Sequence, residues 1–532
     1  MLHRAGHAVL HPSRPALLKL VSQLSAGDAF AGRVTRVAGL VVLALATVLS
    51  CGHQASVPPP SAERPVPTTE VPTTASALPP PVIPAADLTA VARLVDDAIA
   101  AQRLPGAVVQ IGHAGRIVFR QAFGSRKLAG EPGLNGVPAP AEPMTEDTLF
   151  DLASLTKSLT TATAFLQLTE RGLVGIDDPV QMHLPDFNPT NDPRRAQVTL
   201  RMLLTHFSGI AGDLSLDGPW GLDGPAKEEG LRRALGAWVV FEPGSVFHYS
   251  DINFILLGAI VEDITGERLD DYMRDHVFAP LGMVDTRYLP VAKVCGPHQV
   301  RGNAVALGGY PPWEGRCPLG TWSTALLARV APTALDEDTP GLNPDFGHPL
   351  RGTVHDPTAR RMGGVTGSAG VFSTVDDLGK FAQALLDRLA GRQSAFPLSR
   401  DSLVLMTTPQ QPGHHPGQLD AANRAVREAV GQSPGTGDAL LAPNYPAIAG
   451  QDLRGLGWDI DTPHSRPRGI VFPVGSFGHT GFTGVTLWID PGSDTYVVVL
   501  ANVIHQRGGP PIAGLSGAIA TVTARALGLY GS

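Results

Sequence analysis

The chain has 532 residues, and 43% of them are hydrophobic, which is enough to bury the core of one large domain or two ordinary ones. Its 41 basic and 48 acidic residues give a net charge of −7, without the basic character typical of nucleic-acid-binding proteins. The three cysteines form no C-x-x-C motif and no H-E-x-x-H motif is present, and we predict neither a metal site nor a cofactor.

The first 51 residues have the features of an export signal. Arg33 and Arg36 precede an apolar run at 37–49, which is shorter than the roughly 20 residues that a membrane-spanning helix needs. Cys51 follows in "VLSC", which resembles a bacterial lipobox, where the cysteine is lipidated and becomes the new N-terminus. We therefore predict an exported lipoprotein held at a membrane surface of the cell envelope. A cleaved secreted protein and an uncleaved anchor are the alternatives.

Residues 52–86 are rich in Pro, Thr, Ser and Ala and poor in large apolar side chains. Such a segment cannot bury enough surface to fold, and its prolines hold it extended. We predict a disordered tether here, followed by a folded domain over 87–530.

The folded part begins and ends with strand patterns. A helical spacing of apolar residues starts at Leu88, and a second helix is predicted over about 512–527. Four β-rich runs, in two pairs around glycine-containing turns, predict strands at Ala107–Ile111, Arg116–Phe123, Val485–Ile489 and Thr495–Leu500. The middle of the chain has mostly helical patterns and loops.

This distribution predicts an α+β (or α/β) architecture. One antiparallel sheet flanked by helices is built from both chain ends, about 87–150 and 451–530, and a mostly α-helical part, about 151–450, is inserted between them. A cleft between the two parts is the default site. Two stretches, 295–349 and 412–450, are loop-rich and carry no assigned chemistry.

Cys295 and Cys317 flank one of these loops. If the protein is exported, both cysteines meet an oxidising compartment, and we predict a disulfide between them.

The stretch "LASLTKSLT" contains a Ser-x-x-Lys pair, Ser154 and Lys157, at the start of a helix predicted from about Ser154 to Arg171. At this spacing both side chains project from one face of a helix. A serine hydroxyl becomes a good nucleophile when a neighbouring base takes its proton. On its own, however, the tetrapeptide is more typical of an N-cap serine followed by an exposed lysine.

Two later stretches favour the catalytic interpretation. Tyr249 and Asp251 come just before an apolar helix, where the tyrosine can serve as a second proton-transfer group. His479, Thr480 and Gly481 lie in a predicted strand, where glycine lets a substrate backbone approach closely.

In this chain order the three motifs resemble those of the serine β-lactamase and penicillin-binding-protein superfamily, in particular its class C and esterase-like branch. The likeness covers roughly 88–527. It includes the stretches "PGAVVQIGHAGRIVFRQAFG", "TLFDLASLTKSLT", "TLRMLLTHFSGI", "FAPLGMVDTRY", "GVTGSAGVFSTVDDLGKFAQALL" and "GFTGVTLWIDP". The resemblance implies a β-lactamase/transpeptidase-like fold with two structural parts.

The resemblance also implies roles for the motif residues. Ser154 would be the nucleophile, Lys157 would assist its deprotonation, and Tyr249 would shuttle protons to the leaving group and later activate water. His479–Gly481 would line an edge strand beside the substrate. The backbone N–H groups of Ser154 and Phe482 would form the oxyanion hole.

Two positions depart from the penicillin-type pattern. Asp251 stands where those enzymes often have Asn, and a carboxylate pointing at Lys157 should keep that lysine protonated. Lys157 would then lower the pKa of Tyr249 and favour tyrosinate as the base. His479 replaces a lysine, which weakens any site for a substrate carboxylate near neutral pH and favours an esterase-type activity.

The sequence therefore predicts a serine hydrolase that forms an acyl-serine intermediate on a small-molecule or peptide substrate. Ester hydrolysis, D-alanyl-D-alanine carboxypeptidase activity on cell-wall peptides and β-lactam hydrolysis remain open. The hypothesis from another class is a non-catalytic sensor or docking module, against which the intact motif residues argue. Ser368 is a rival nucleophile without an accompanying base, and we interpret His206 and His505 as structural residues or residues of the site's rim.

Overall fold

The large sheet is assembled from the two ends of the folded part of the chain. The computed structural model describes residues 86–308, 315–431, 444–505 and 512–532, and the predicted export signal, Cys51 and all but the last residue of the predicted tether lie outside them. The sheet has eight antiparallel strands, in the spatial order Leu453–Arg454, Asp459–Asp461, Phe477–Gly481, Val485–Asp490, Thr495–Ala501, Gly106–His113, Arg116–Lys127 and Glu142–Pro143.

Helices cover both faces at the centre of the sheet. On the strand Thr495–Ala501, Val497 and Val499 pack with the terminal helices Thr89–Ala100 and Ala513–Ala526, while Val498 packs towards the helix Val375–Leu389 on the other face. Because both faces are buried, these strands are continuously apolar and do not alternate with polar residues.

The rest of the chain supplies the helical part and short β ladders. Further α-helices are Thr163–Glu170, Val180–His183, Leu200–Thr205, Lys227–Leu235, Asp251–Thr265, Leu269–Met273, Pro357–Arg361, Arg400–Thr407 and Gln418–Gly431. π-Helical turns lie at Lys157–Ala162 and Arg274–Phe278. Short 3₁₀ turns lie at Pro185–Phe187, Arg195–Gln197, Val291–Lys293, Thr324–Ala328, Arg466–Arg468, Val503–His505 and Leu529–Gly531.

Three small ladders complete the secondary structure. The first joins Phe150–Asp151, Val371–Ser373 and Arg287–Tyr288, the second joins Val294–Cys295 and Trp322–Ser323, and the third joins Gln299–Arg301 and Ala304–Ala306. Within the described ranges no helix is both long enough and apolar enough to span a membrane.

The four predicted strands and both terminal helices lie where the sequence patterns place them. The stretch 412–450, which we predicted to be loop-rich, also contains the helix Gln418–Gly431, which buries Ala422 and Val426 on one face. The stretch is rich in Gly and Pro only at its ends, and these residues mask the helical pattern between them. Cys295 and Cys317 form a disulfide, with their Cα atoms 5.6 Å apart.

Candidate active site

Ser154 lies on a tight turn between the short strand Phe150–Asp151 and the following helix. The preceding residue, Ala153, has a φ of +43°, a left-handed conformation that a non-glycine residue adopts only when its surroundings impose it. The carboxylate of Asp151 does so, because its Oδ1 accepts a hydrogen bond from the Ala153 N–H at 2.9 Å. The helix predicted from about Ser154 begins at Leu155, and its first turns contain the π-helical segment Lys157–Ala162.

Lys157 lies within this π-helical turn and is completely buried. Its Nζ donates hydrogen bonds to the Ser154 Oγ at 3.0 Å and to the backbone carbonyl of Ser368 at 2.9 Å. The same Nζ forms an ion pair with Asp251 Oδ1 at 2.5 Å. The ammonium group is therefore surrounded by oxygen atoms of Ser154, Ser368 and Asp251.

These contacts fix the protonation state of Lys157. Burial acts to lower its pKa, but the neighbouring Asp251 and Tyr249 outweigh burial, and the pKa is raised above its usual value. The expectation that Asp251 points at Lys157 and keeps it protonated agrees with this geometry. A charged lysine cannot take the proton of Ser154, so that its contribution at rest is a fixed positive charge beside the hydroxyl.

Tyr249 comes directly before the helix Asp251–Thr265, which Ser250 caps by accepting a hydrogen bond from the Asn253 N–H. The Nζ of Lys157 lies 5.2 Å from the centre of the Tyr249 ring. The Tyr249 hydroxyl is buried and, among the described residues, makes no hydrogen bond of good geometry. Ser154 and Lys157 are nevertheless close enough to interact with it and to act on its pKa, so that the hydroxyl lies beside the nucleophile.

Lys157 lowers the pKa of Tyr249 as expected, but the net shift of that pKa is upwards. Burial raises the pKa of Tyr249, and Asp251 adds to this effect, so that the lowering by Lys157 is outweighed. The negative charge of Asp251 offsets much of the positive charge of Lys157 at the position of Tyr249. The ion pair therefore does little to stabilise a tyrosinate anion. Tyr249 is a neutral phenol in the resting site.

His479 lies on the strand Phe477–Gly481 and is buried. We expected an edge strand, but this strand is third from the edge of the sheet. Its pairing with the outer neighbour is confined to one position, Asp459 opposite Gly478, so that within the described ranges no strand covers the outer side of His479–Gly481. This half of the strand still has an open side for a substrate backbone.

The imidazole of His479 is neutral at physiological pH. Burial lowers its pKa to about 3, despite the opposing effect of Asp459. In the described part of the chain its Nε2 has no hydrogen-bond partner. His479 therefore brings no positive charge to the site.

The end of this strand lies against the nucleophile turn. A Cβ added to Gly481 would lie 2.4 Å from the carbonyl oxygen of Leu152, so that only glycine fits. Thr483 Oγ1 donates a hydrogen bond to the carbonyl of Asp151 at 2.7 Å. Phe482 lies between these two anchored residues, close to the turn of Ser154. The assignment of the Ser154 and Phe482 N–H groups as the oxyanion hole stays a prediction.

Sequence reasoning missed two carboxyl groups of the site. Asp151 joins the nucleophile turn to a neighbouring loop, because its Oδ2 accepts from the His355 N–H at 2.7 Å. Asp356 caps the helix Pro357–Arg361 through a 2.6 Å hydrogen bond from Ala359 N–H. The Asp-Pro pair that starts this helix is a visible capping signal, but nothing in it indicates the distant Lys157.

Asp356 gives the site a group that titrates near neutral pH. Burial raises its pKa to about 7, and the nearby carboxylate of Asp251 adds to this effect. Below that pH Asp356 is a neutral acid, and above it a second negative charge joins Asp251 beside Lys157.

We expect the pH–rate profile of the wild type to have an inflection near pH 7 that the variant Asp356→Asn lacks. Initial rates on a neutral ester between pH 5.5 and 8.5 test this, and an identical inflection in the variant contradicts it.

The other candidate residues, Ser368, His206 and His505, differ in their contacts with the site. Ser368 contributes its backbone carbonyl to Lys157, while its hydroxyl is hydrogen-bonded to Thr366 Oγ1 at 3.0 Å. His206 is buried and stacks on Tyr249, with ring centres 4.3 Å apart, and His464 lies at 5.1 Å on the same ring. His505 is paired with Glu131 at 2.8 Å.

The chain is similar to known proteins over most of its length. A family model described as Beta-lactamase matches residues 91–510. A protein of Escherichia coli K12, whose name proposes D-alanyl-D-alanine carboxypeptidase activity, is 27% identical over 403 residues, which cover 74% of this chain and 78% of that protein.

Two solved structures share the fold. The octameric penicillin-binding protein homologue from Pyrococcus abyssi superimposes with a TM-score of 0.54 at 21% identity, covering 83% of this chain and 78% of that one. Simvastatin synthase (LovD) from Aspergillus terreus also gives a TM-score of 0.54, at 22% identity, covering 83% of this chain and 99% of that one. At these identities the likeness is evidence for the fold alone.

Proposed function

The chain belongs to the Beta-lactamase family of serine hydrolases, and on that premise we propose that it hydrolyses neutral carboxylic esters through an acyl intermediate on Ser154. The observation that carries the proposal is the position of the Ser154 hydroxyl, which lies 3.0 Å from the ammonium group of the fully buried Lys157. A nucleophile, a fixed positive charge and a neutral buried phenol are the groups that acyl transfer needs.

We infer that Tyr249 moves the protons. As Ser154 Oγ attacks the carbonyl carbon, the phenol takes the serine proton and gives its own proton to the leaving-group oxygen, so that its protonation state is unchanged. The C–O bond to the leaving alcohol breaks and the acyl–serine ester forms. In the second half water attacks the acyl carbon while Tyr249 takes a proton from it, and Tyr249 returns a proton to Ser154 Oγ as the acyl–Oγ bond breaks and the carboxylic acid leaves. The positive charge of Lys157 stabilises any transient tyrosinate character.

The charges around the site favour substrates without a carboxylate near the scissile bond. Asp213 and Asp356 both lie within electrostatic reach of Asp251 and Lys157, and burial raises the pKa of each of the two. Lys157 is already paired with Asp251. Arg454 is buried in an ion pair with Asp459. Of these two cations, neither lacks an acidic partner that a substrate carboxylate would have to displace.

Phe482 supports an apolar acyl or alkoxy group on the substrate. Its side chain is 73% exposed and its ring stacks on His355 with centres 5.8 Å apart. Burial lowers the pKa of His355 to about 4, so that this partner is neutral as well. A large apolar side chain held open to solvent beside a nucleophile is a surface that a hydrophobic substrate can cover.

Truncating this surface should weaken binding without affecting the chemical step. We expect Phe482→Ala to raise KM for long-chain acyl esters about tenfold and to leave kcat within about twofold, because burial of one aromatic ring contributes roughly 1–2 kcal/mol. Acetyl esters, which do not reach the ring, serve as the control substrate. Equal effects on acetyl and long-chain esters would contradict the role of the ring in acyl binding.

Two active-site probes test the proposed function directly. The purified domain is incubated with a fluorophosphonate and, separately, with a fluorescent penicillin, and the labelled residue is mapped by mass spectrometry. We expect the fluorophosphonate to label Ser154 and the penicillin to give no adduct. No label from either probe on folded protein would overturn the proposal in favour of a non-catalytic module.

The second candidate is a D-alanyl-D-alanine carboxypeptidase, which the proposed activity of the Escherichia coli relative favours. That substrate has a carboxylate next to the scissile amide. Labelling of Ser154 by both probes, with release of D-alanine from a cell-wall pentapeptide, would support this candidate over the esterase. β-Lactam hydrolysis would appear in the same assay as loss of the penicillin adduct with turnover.

We further propose that the chain is exported and tethered to the cell envelope through a lipid on Cys51. The support is the lipobox-like "VLSC" stretch and the tether-like composition that follows it. Metabolic labelling with a palmitate analogue tests this. Cys51→Ala should abolish incorporation, and unchanged incorporation would contradict it.

A further inference from the structure

His206, which stacks on Tyr249, makes more specific contacts than a residue that only fills the core would need. His206 follows the short helix Leu200–Thr205 and is fully buried. Its backbone is left-handed, with a φ of +60°, which a non-glycine residue adopts at a cost. This conformation directs both its carbonyl group and its ring towards one tripeptide, His248–Ser250.

His206 accepts hydrogen bonds from the residues directly before and directly after Tyr249. The His206 carbonyl accepts a hydrogen bond from the His248 N–H at 2.9 Å. Its ring Nδ1 accepts a second one from the Ser250 N–H at 3.0 Å. Between these two bonds the imidazole stacks on the Tyr249 ring, with centres 4.3 Å apart and planes inclined by 25°.

The same contacts fix the tautomer of His206. Because Nδ1 accepts a hydrogen bond, the proton of the neutral ring is on Nε2, and among the described residues that Nε2 has no partner. Burial, together with the positive charge of Arg454, lowers the pKa of His206 well below its usual value. The acceptor is therefore available throughout the physiological pH range.

We propose that His206 is a positioning residue for the reaction, which clamps the backbone on either side of Tyr249 and holds the phenol ring at the distance from Ser154 and Lys157 that proton transfer requires. The inference rests on the proposed function, because it assigns His206 an effect on turnover that acts only through Tyr249. A proton-transfer group displaced by about 1 Å loses about 100-fold in rate.

Two substitutions separate the hydrogen bond from the stack. The Oδ1 of asparagine lies where histidine has Nδ1, and asparagine tolerates the left-handed conformation. We therefore expect His206→Asn to keep the Ser250 contact, to lose the stack and to lower kcat about tenfold. His206→Ala loses both, and we expect kcat to fall about 100-fold with KM changed less than threefold. His414→Asn, on an exposed loop, is the matched control and should retain wild-type kcat.

A double-mutant cycle with Tyr249→Phe distinguishes positioning from a general structural role. If His206 acts through the phenol, His206→Asn and His206→Ala should have little further effect on the kcat that remains in Tyr249→Phe. Equal fold losses in both backgrounds would overturn the proposal. Thermal unfolding is measured on every variant, and His206→Asn provides the test even if His206→Ala does not fold.

Different results would overturn the proposed function and the positioning role of His206. Wild-type protein without ester turnover and without fluorophosphonate labelling would overturn the proposed function and the premise of positioning with it. Wild-type protein with normal turnover, combined with His206 variants within twofold of it, would overturn the positioning role alone.

Discussion

Replacing Ser154 with alanine is expected to lower ester turnover by at least about a thousandfold and to abolish fluorophosphonate labelling. Removal of a nucleophile eliminates the covalent path, and what remains is the modest stabilisation provided by binding and oxyanion contacts. The fold should be retained, because the Ser154 side chain accepts one hydrogen bond from Lys157 and the lysine keeps its other two oxygen partners.

Ser368 provides the matched control for this variant. Its contact with Lys157 is made by the backbone carbonyl, which Ser368→Ala keeps. We expect this variant to retain turnover within about threefold and to be labelled at Ser154, at a cost of roughly 1 kcal/mol in stability for the lost hydrogen bond with Thr366. Labelling of Ser368 in wild-type protein, or full activity of Ser154→Ala, would reverse the assignment of the nucleophile.

Much of the fold follows from local patterns. The runs Val485–Ile489 and Thr495–Leu500 are strongly apolar, and a clear turn signal separates them, so that their pairing is predictable. In the structure each strand is one residue longer than predicted. The helix Gln418–Gly431 was missed because glycine and proline surround it. Its amphipathic face is short, and composition over a wide window hides such a pattern.

The residues of the site and the protonated state of Lys157 were predictable from the sequence, whereas the net pKa shift of Tyr249 was not. The motifs place Ser154, Lys157 and Tyr249 in one chain order, and spacing alone brings the first two together. The pKa of Tyr249, however, depends on how deeply the ring is buried and on the distance of Asp251, which are properties of tertiary packing. The Ser368 carbonyl could not be inferred either, because a backbone contact across the fold has no signature in residue type.

Removing the counter-ion of Lys157 should have the second-largest effect, this time on stability. The Lys157 side chain has 0% exposure and that of Asp251 18%, so that Asp251→Asn leaves a buried ammonium without its charge partner. We expect a loss of about 3 kcal/mol in the free energy of unfolding, measured by urea denaturation at pH 7. Asp177→Asn breaks an ion pair whose carboxylate side chain is 70% exposed, and should cost less than about 1 kcal/mol.

The pH dependence of this loss has a definite sign. In the wild type the pKa of Lys157 is raised, so that the ion pair contributes fully below the unfolded-state pKa of about 10.5 and is lost only at higher pH. In Asp251→Asn burial remains and now depresses the pKa, so that the cost is largest at low pH and is relieved as pH rises towards about 10.5. The difference in the free energy of unfolding between the wild type and Asp251→Asn should therefore narrow as pH rises. Turnover of the variant should recover over the same range, since an uncharged Lys157 can accept the Ser154 proton. A gap that is constant between pH 6 and 10 would show that Asp251 does not set the charge of Lys157.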